Sequence, residues 1–128
     1  MKAESRNFLQ KSHEFLRKAE GMLQSWPDEA GRAAYLAAFH AAQALIFERT
    51  GRAVKTHRGV HSEFARLMRH RADFDTVLRG FLSRSYNMKA VADYETGEAA
   101  AVDGDEAAAA AQTASRFVSF VEKMLSEA

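Results

Sequence analysis

The chain has 128 residues, 47% of them apolar and 27% charged, which suits one soluble globular domain and not a disordered segment. It has no cysteine, which excludes disulfide staples, thiolate metal sites and a cysteine nucleophile. The net charge of +1 hides a gradient: residues 1–48 carry six basic and six acidic groups, 49–89 ten and three, and 90–128 two and eight. A basic middle of this kind attracts an anion such as RNA or a nucleotide, unless packing of the helices mixes the charges.

The periodicity predicts a first helix over about 4–25, with Phe8, Phe15, Leu16, Ala19, Met22, Leu23 and Trp26 in one apolar stripe. Its first 18 residues hold no uninterrupted apolar stretch, so no signal peptide is expected. Trp26-Pro27-Asp28-Glu29 reads as a turn, with Pro27 suited to the first turn of the next helix. That second helix, about 28–50, is apolar nearly all round through AAYLAAFHAAQALIF and is expected to be the central one. Its alanines combine helix propensity with close approach of neighbouring backbones. A basic link, GRAVKT, leads to a third helix over about 57–70, capped by Thr56, with Val60, Phe64, Leu67 and Met68 inward. Asp73 is expected to cap a fourth helix reaching about Glu95, with Phe74, Val77, Leu78, Phe81, Leu82, Met88, Val91 and Ala92 on its stripe.

The segment from 96 to 106 reads as a loop closed by Asp103 and Glu106 at capping-box spacing. The last helix, about 104–126, turns Ala107, Ala111, Ala114, Val118, Val121 and Leu125 inward. Phe117, Phe120 and Met124 widen its apolar face, which suits a symmetric homodimer or a wider contact inside one chain. No strand-like alternation and no repeat occurs. The expected fold is all-α: residues 1–128 as a single domain, an up-and-down bundle of four long helices plus one shorter helix. No window approaches the roughly 18–20 apolar residues of a membrane span. The expected location is the cytoplasm, with no membrane partner.

Five histidines are available for chemistry: His13, His40, His57, His61 and His70. His57 and His61 are one helical turn apart, a spacing compatible with metal ligation. There is no HExxH motif, and Glu63 is spaced neither as a general base nor as a third ligand. No metal and no cofactor is therefore expected, and both rings read as surface histidines. Phosphate loops of the GxxxxGK[ST] or GxGxxG type are absent. Arg52, Lys55, Thr56, His57 and Arg58 form the best anion candidate, because they gather at a helix start where free N–H groups favour negative charge. Gly59 would let a ligand or another helix come close. His40, within the alanine-rich helix, reads either as a hydrogen-bonded core histidine or as the lining of a polar cleft with Arg32 and Gln43. Lys89 and Asp93 are one turn apart and can pair, with Tyr86 and Tyr94 nearby.

Three segments in this order, AYLAAFHAAQALI (34–46), KTHRGV (55–60) and KAVADYE (89–95), followed by an alanine-rich final helix, resemble the HEPN family over residues 8–126. They are most similar to its small, stand-alone prokaryotic members. The resemblance implies a five-helix bundle that commonly dimerises and is often paired with a minimal nucleotidyltransferase in toxin–antitoxin systems. It also implies metal-independent ribonuclease activity in members carrying arginine, four to six residues and histidine on the later long helix. Here Lys89 stands where that arginine is expected and Tyr94 where the histidine is expected. Lysine supplies charge without the guanidinium fork, and a phenol with an ordinary pKa of about 10 is a poor base near neutrality. Tyr94 is also where the resemblance would put a nucleotide-modified tyrosine. Arg52 and His57 match the arginine–histidine spacing by count, but they straddle a loop and a helix start.

The expected function is that of a dimeric module binding nucleotide or RNA phosphate, in a toxin–antitoxin-like pair. Whether the chain is an enzyme is left open. The rival expectation is a metal-independent endoribonuclease with a rearranged site drawn from His40, His57, Arg58, Lys89 and Tyr94. A purely structural dimeric module is the third.

Overall fold

The computed structural model describes residues 1–97 and 102–127. Among them the regular structure is six helices: α1 (Ala3–Gly21), α2 (Pro27–Thr50), α3 (His57–Met68), α4 (Thr76–Arg79), α5 (Phe81–Tyr94) and α6 (Gly104–Ser126). The fold is all-α, as the periodicity indicates. α2 is the hub, with α1, α3, α5 and α6 all packed against it.

The small side chains of α2 make this possible. Ala33, Ala34, Ala37, Ala38, Ala41 and Ala42 are all buried, and Tyr35, Leu45 and Ile46 are wholly so. α1 approaches through its own small residues, since Ser5, Ser12 and Ala19, seven apart, are fully buried. The Ser12 hydroxyl donates to the Ala37 carbonyl at 2.6 Å, a helix-to-helix bond that needs both backbones close. Leu9, Phe15, Leu16, Met22 and Leu23 flank this seam, partly buried. Trp26, placed on that stripe by spacing, is instead 61% exposed, because the chain has already left α1 and enters α2 there. On the opposite side, a Cβ on Gly31 would come within 3.1 Å of Met88 Sδ, so the glycine lets α5 settle against α2.

The expected fourth helix is broken in two. Asp75, not Asp73, is the cap, accepting from the Leu78 N–H at 2.9 Å. The Asp73 carboxylate is held instead by Arg71, through two bonds of 3.0 Å, and by Lys123 of α6 at 3.3 Å. α4 is a single turn that stops at Gly80, and α5 restarts at Phe81. Val77, expected inward, is 48% exposed as a result. Part of the expected 96–106 loop, residues 98–101, lies outside the described residues. Beyond it Asp103 caps α6 by accepting from the Glu106 N–H at 2.7 Å.

The aromatic surplus of α6 is used within the chain. Phe117 is fully buried, with Phe64, Phe74 and Phe81 around it at ring distances of 5.1, 5.9 and 6.2 Å. Met124 is buried too, and Phe120 packs on Phe74 at 4.9 Å. The wider face packs against α3 and the α4 region inside the chain. No helix among the described residues is long and apolar enough to cross a membrane.

Candidate functional site

The site is built where the start of α3 meets α2 and α5. Thr56 caps α3, its hydroxyl accepting from the Gly59 N–H at 3.0 Å. A Cβ on Gly59 would lie 2.6 Å from that hydroxyl oxygen and 2.9 Å from Val54 Cγ1. Among the described residues, what comes close to Gly59 is the chain's own cap. Of the basic group, Arg52 leans on Glu63 at 3.5 Å and the Thr56 side chain is spent on the cap. Lys55 and Arg58 are exposed, and no ion pair among the described residues includes either.

His57 and His61 turn inward rather than out to solvent. Both rings meet the hydroxyl of Tyr35, a residue of α2 that is wholly buried. The oxygen lies 2.7 Å from His57 Nδ1 and 2.8 Å from His61 Nε2. Tyr86 of α5 closes the cluster, at ring distances of 5.3 Å to Tyr35, 5.1 Å to His57 and 5.8 Å to His61. Phe39 lies 4.7 Å from the His57 ring on the other side. Burial lowers the pKa of His57, with the Lys89 charge acting the same way and Asp93 opposing it. Burial, then the neighbouring His57, lowers that of His61. Burial pushes Tyr35 up, so its phenol stays protonated. Two neutral imidazoles joined through one hydroxyl are suited to accept or pass a proton.

Next to them stands a three-residue ion cluster. Lys89 donates to Asp93 at 2.5 Å, and Arg32 of α2 donates to the other oxygen of the same carboxylate at 2.8 Å. The hydrogen bond to Asp93 raises the pKa of Lys89, and the bond from Lys89 lowers that of Asp93. Tyr94 is 77% exposed, its ring 5.7 Å from Lys89 Nζ. His57, which follows the basic link, packs on Tyr86 of the same helix as Lys89 at 5.1 Å, and the Lys89 charge adds to the lowering of its pKa.

His40 makes its hydrogen bond outside that network, to Gln43. Its ring stacks on Phe15 at 5.4 Å, and its Nδ1 lies 2.7 Å from the Gln43 oxygen. The Gln43 amide nitrogen donates to the Val54 carbonyl at 2.8 Å. That leaves the Gln43 oxygen as acceptor, so His40 carries its proton on Nδ1. His40 and Gln43 thus brace the loop that presents Lys55 to Arg58, while Arg32 faces Asp93 instead. Burial lowers the pKa of His40 and the Gln43 bond opposes it. No group of three or more histidine, aspartate or glutamate side chains is arranged to hold a metal ion among the described residues. Glu63 is occupied by Arg66 at 2.5 Å.

A model of the HEPN domain matches residues 5–124, nearly the whole chain. The chain belongs to the HEPN family. The crystal structure of TT1696 from Thermus thermophilus is similar, with a TM-score of 0.79 over 95% of this chain and 98% of that one. At 24% identity that likeness speaks for the fold alone. No curated protein sequence matches the chain significantly. In this HEPN chain, the two residues expected at the arginine and histidine positions stand in different surroundings: Lys89 is bound to Asp93 and Tyr94 is exposed. Sequence reading missed Tyr35 and the place of Tyr86 beside the two histidines. A tyrosine within an otherwise apolar helix was the available signal, because its buried hydroxyl must find a partner.

Proposed function

We propose that this HEPN domain binds phosphate groups of RNA or of a nucleotide on the face where the α3 start meets α5. Lys55 and Arg58 supply open positive charge there, and His57 with Lys89 forms its inner edge. The observation carrying this reading is the position of His57. It follows the basic link directly, it contacts Tyr86 of α5, and Lys89 acts on its charge. In the same reading the domain acts as a homodimer, in a toxin–antitoxin-like pair with a minimal nucleotidyltransferase, as the family resemblance implies.

The test is binding of a short labelled RNA in chelator at several salt concentrations. Lys55→Ala and Arg58→Ala should each weaken binding and flatten its salt dependence by about 0.7 in log–log slope per lost phosphate contact. Arg116→Ala, far along α6 and paired with Asp75, serves as the control. If both basic-loop variants bind like the parent while the control does too, the face is wrong. A second reading, metal-independent RNA cleavage, is favoured by the two neutral imidazoles on Tyr35. Cleavage in chelator that disappears in His57→Ala with the fold intact would make that reading the correct one.

A further inference from the structure

The Tyr35 hydroxyl imposes a counting rule on the two imidazoles it touches. It has one proton to give and lies within hydrogen-bond distance of both His57 Nδ1 and His61 Nε2. With both rings neutral, one nitrogen accepts the hydroxyl proton and the other donates its own N–H to the oxygen. One added proton leaves every group paired: the charged ring donates to the oxygen, and the hydroxyl donates to the neutral ring. A second added proton makes both nitrogens donors. The buried hydroxyl then has no acceptor, and two cations stand one helical turn apart. The cluster therefore holds no extra proton or one, but not two.

The same chain of bonds moves that proton. A proton arriving on the outer nitrogen of His61 sends its Nε2 proton to the Tyr35 oxygen and the Tyr35 proton to His57 Nδ1. His57 then carries the charge, with Nε2–H as its donor not engaged by Tyr35. The groups facing the pair are Tyr35 and His40 on α2, and Tyr86, Lys89 and Asp93 on α5. Lys89 discourages a charge on His57 and Asp93 supports it. An anion on the Lys55–Arg58 face would shift that balance toward the charged state.

We infer that His57, Tyr35 and His61 form a one-proton clamp in which a phosphate bound at Lys55 and Arg58 draws a single proton onto the cluster, making His57 a cationic contact for that phosphate. Tyr35 and His61 are positioning residues for His57. The inference rests on the phosphate-binding reading given above and adds to it a proton that binding must take up. By linkage, lowering the pH then strengthens phosphate binding, and bound phosphate makes the cluster easier to protonate.

The experiment has two arms on the intact chain. The first follows the imidazole nitrogens of 15N-histidine-labelled protein by NMR between about pH 8 and 5, where an ordinary histidine titrates, with and without inorganic phosphate. The second measures affinity for a short RNA over the same range. The parent protein should show one proton shared by His57 and His61, taken up at higher pH when phosphate is present. Its RNA affinity should rise by up to about tenfold per unit fall in pH, the limit for one linked proton. Tyr35→Phe should separate the two titrations and flatten the component of affinity that depends on pH. His61→Gln, which keeps an acceptor for the Tyr35 hydroxyl, serves as the second variant if Tyr35→Phe folds poorly: it should leave His57 as the one titrating ring of the cluster, taking up the whole proton that the pair shares in the parent. Two independent protons in the parent protein would overturn the clamp. So would RNA binding whose pH dependence is unchanged in Tyr35→Phe, or a His57 titration in His61→Gln that matches its share in the parent, and either result would leave the binding face standing. No RNA or phosphate binding at any pH would remove the phosphate reading itself, and the coupling with it.

Discussion

Gln43→Met removes a brace while keeping the volume of a buried side chain. Gln43 is only 4% exposed, and both ends of its amide are engaged: the oxygen with His40 at 2.7 Å, the nitrogen with the Val54 carbonyl at 2.8 Å. Methionine fills the space but pairs with neither group. A buried group left unpaired costs about 1–3 kcal/mol. His40 and Val54 are partly buried, which puts each loss at the lower end, so together the change should cost about 2–4 kcal/mol. Urea unfolding should show this as a lower midpoint at unchanged slope. Because Val54 leads directly into Lys55, RNA affinity should fall as well, even though Gln43 touches no ligand. A stability loss below about 0.5 kcal/mol, with RNA binding intact, would refute the view that this amide holds the basic loop, since surface changes have effects of that size.

Phe117→Ala should cost about 3–5 kcal/mol, the range for emptying a fully buried aromatic site, read as a lower urea midpoint at unchanged slope. A small loss would mean that Phe117 is not enclosed by Phe64, Phe74 and Phe81. Gly59→Ala should destabilise α3 by about 1–3 kcal/mol, the cost of overpacking, because the new methyl meets the Thr56 hydroxyl and Val54; thermal melting reads it, and an unchanged or raised midpoint would contradict the close approach. Burial lowers the pKa of His40, His57 and His61 from the ordinary 6.5. The unfolded chain therefore binds protons first as the pH falls. Stability should be full above about pH 6.5 and fall below it, by at most about 1.4 kcal/mol per pH unit for each proton. Denaturation midpoints that stay flat from about pH 7 to 5 would show that these rings are not held neutral.

Helix content and the buried hub were readable from the order of residues alone, while the end of α1 at Gly21 and the break at Gly80 were not. The apolar run of α2 and the spacing of Val60, Phe64 and Met68 report burial directly, because a helix face repeats at a local period. Thr56 and Asp103 were legible as caps for the same local reason: a cap bonds within three residues. The errors came where partners are remote in sequence. Asp73 resembles a cap as well as Asp75 does, and Arg71 with Lys123 decides between them. The partners of Phe117 were likewise out of reach, since Phe64, Phe74 and Phe81 meet it only once the chain has folded.

The candidate site divides in the same way. Lys55, His57, Arg58 and Lys89 were all visible as residues with the right chemistry, and the HEPN resemblance pointed to Lys89 and Tyr94. Their relation was not visible, because it passes through Tyr35, which is 22 residues from His57 and 26 from His61. Local periodicity determined that Tyr35 lies on a buried helix. Only the tertiary structure decided which groups satisfy its hydroxyl, since a buried polar atom takes whatever partner the packing of other helices delivers.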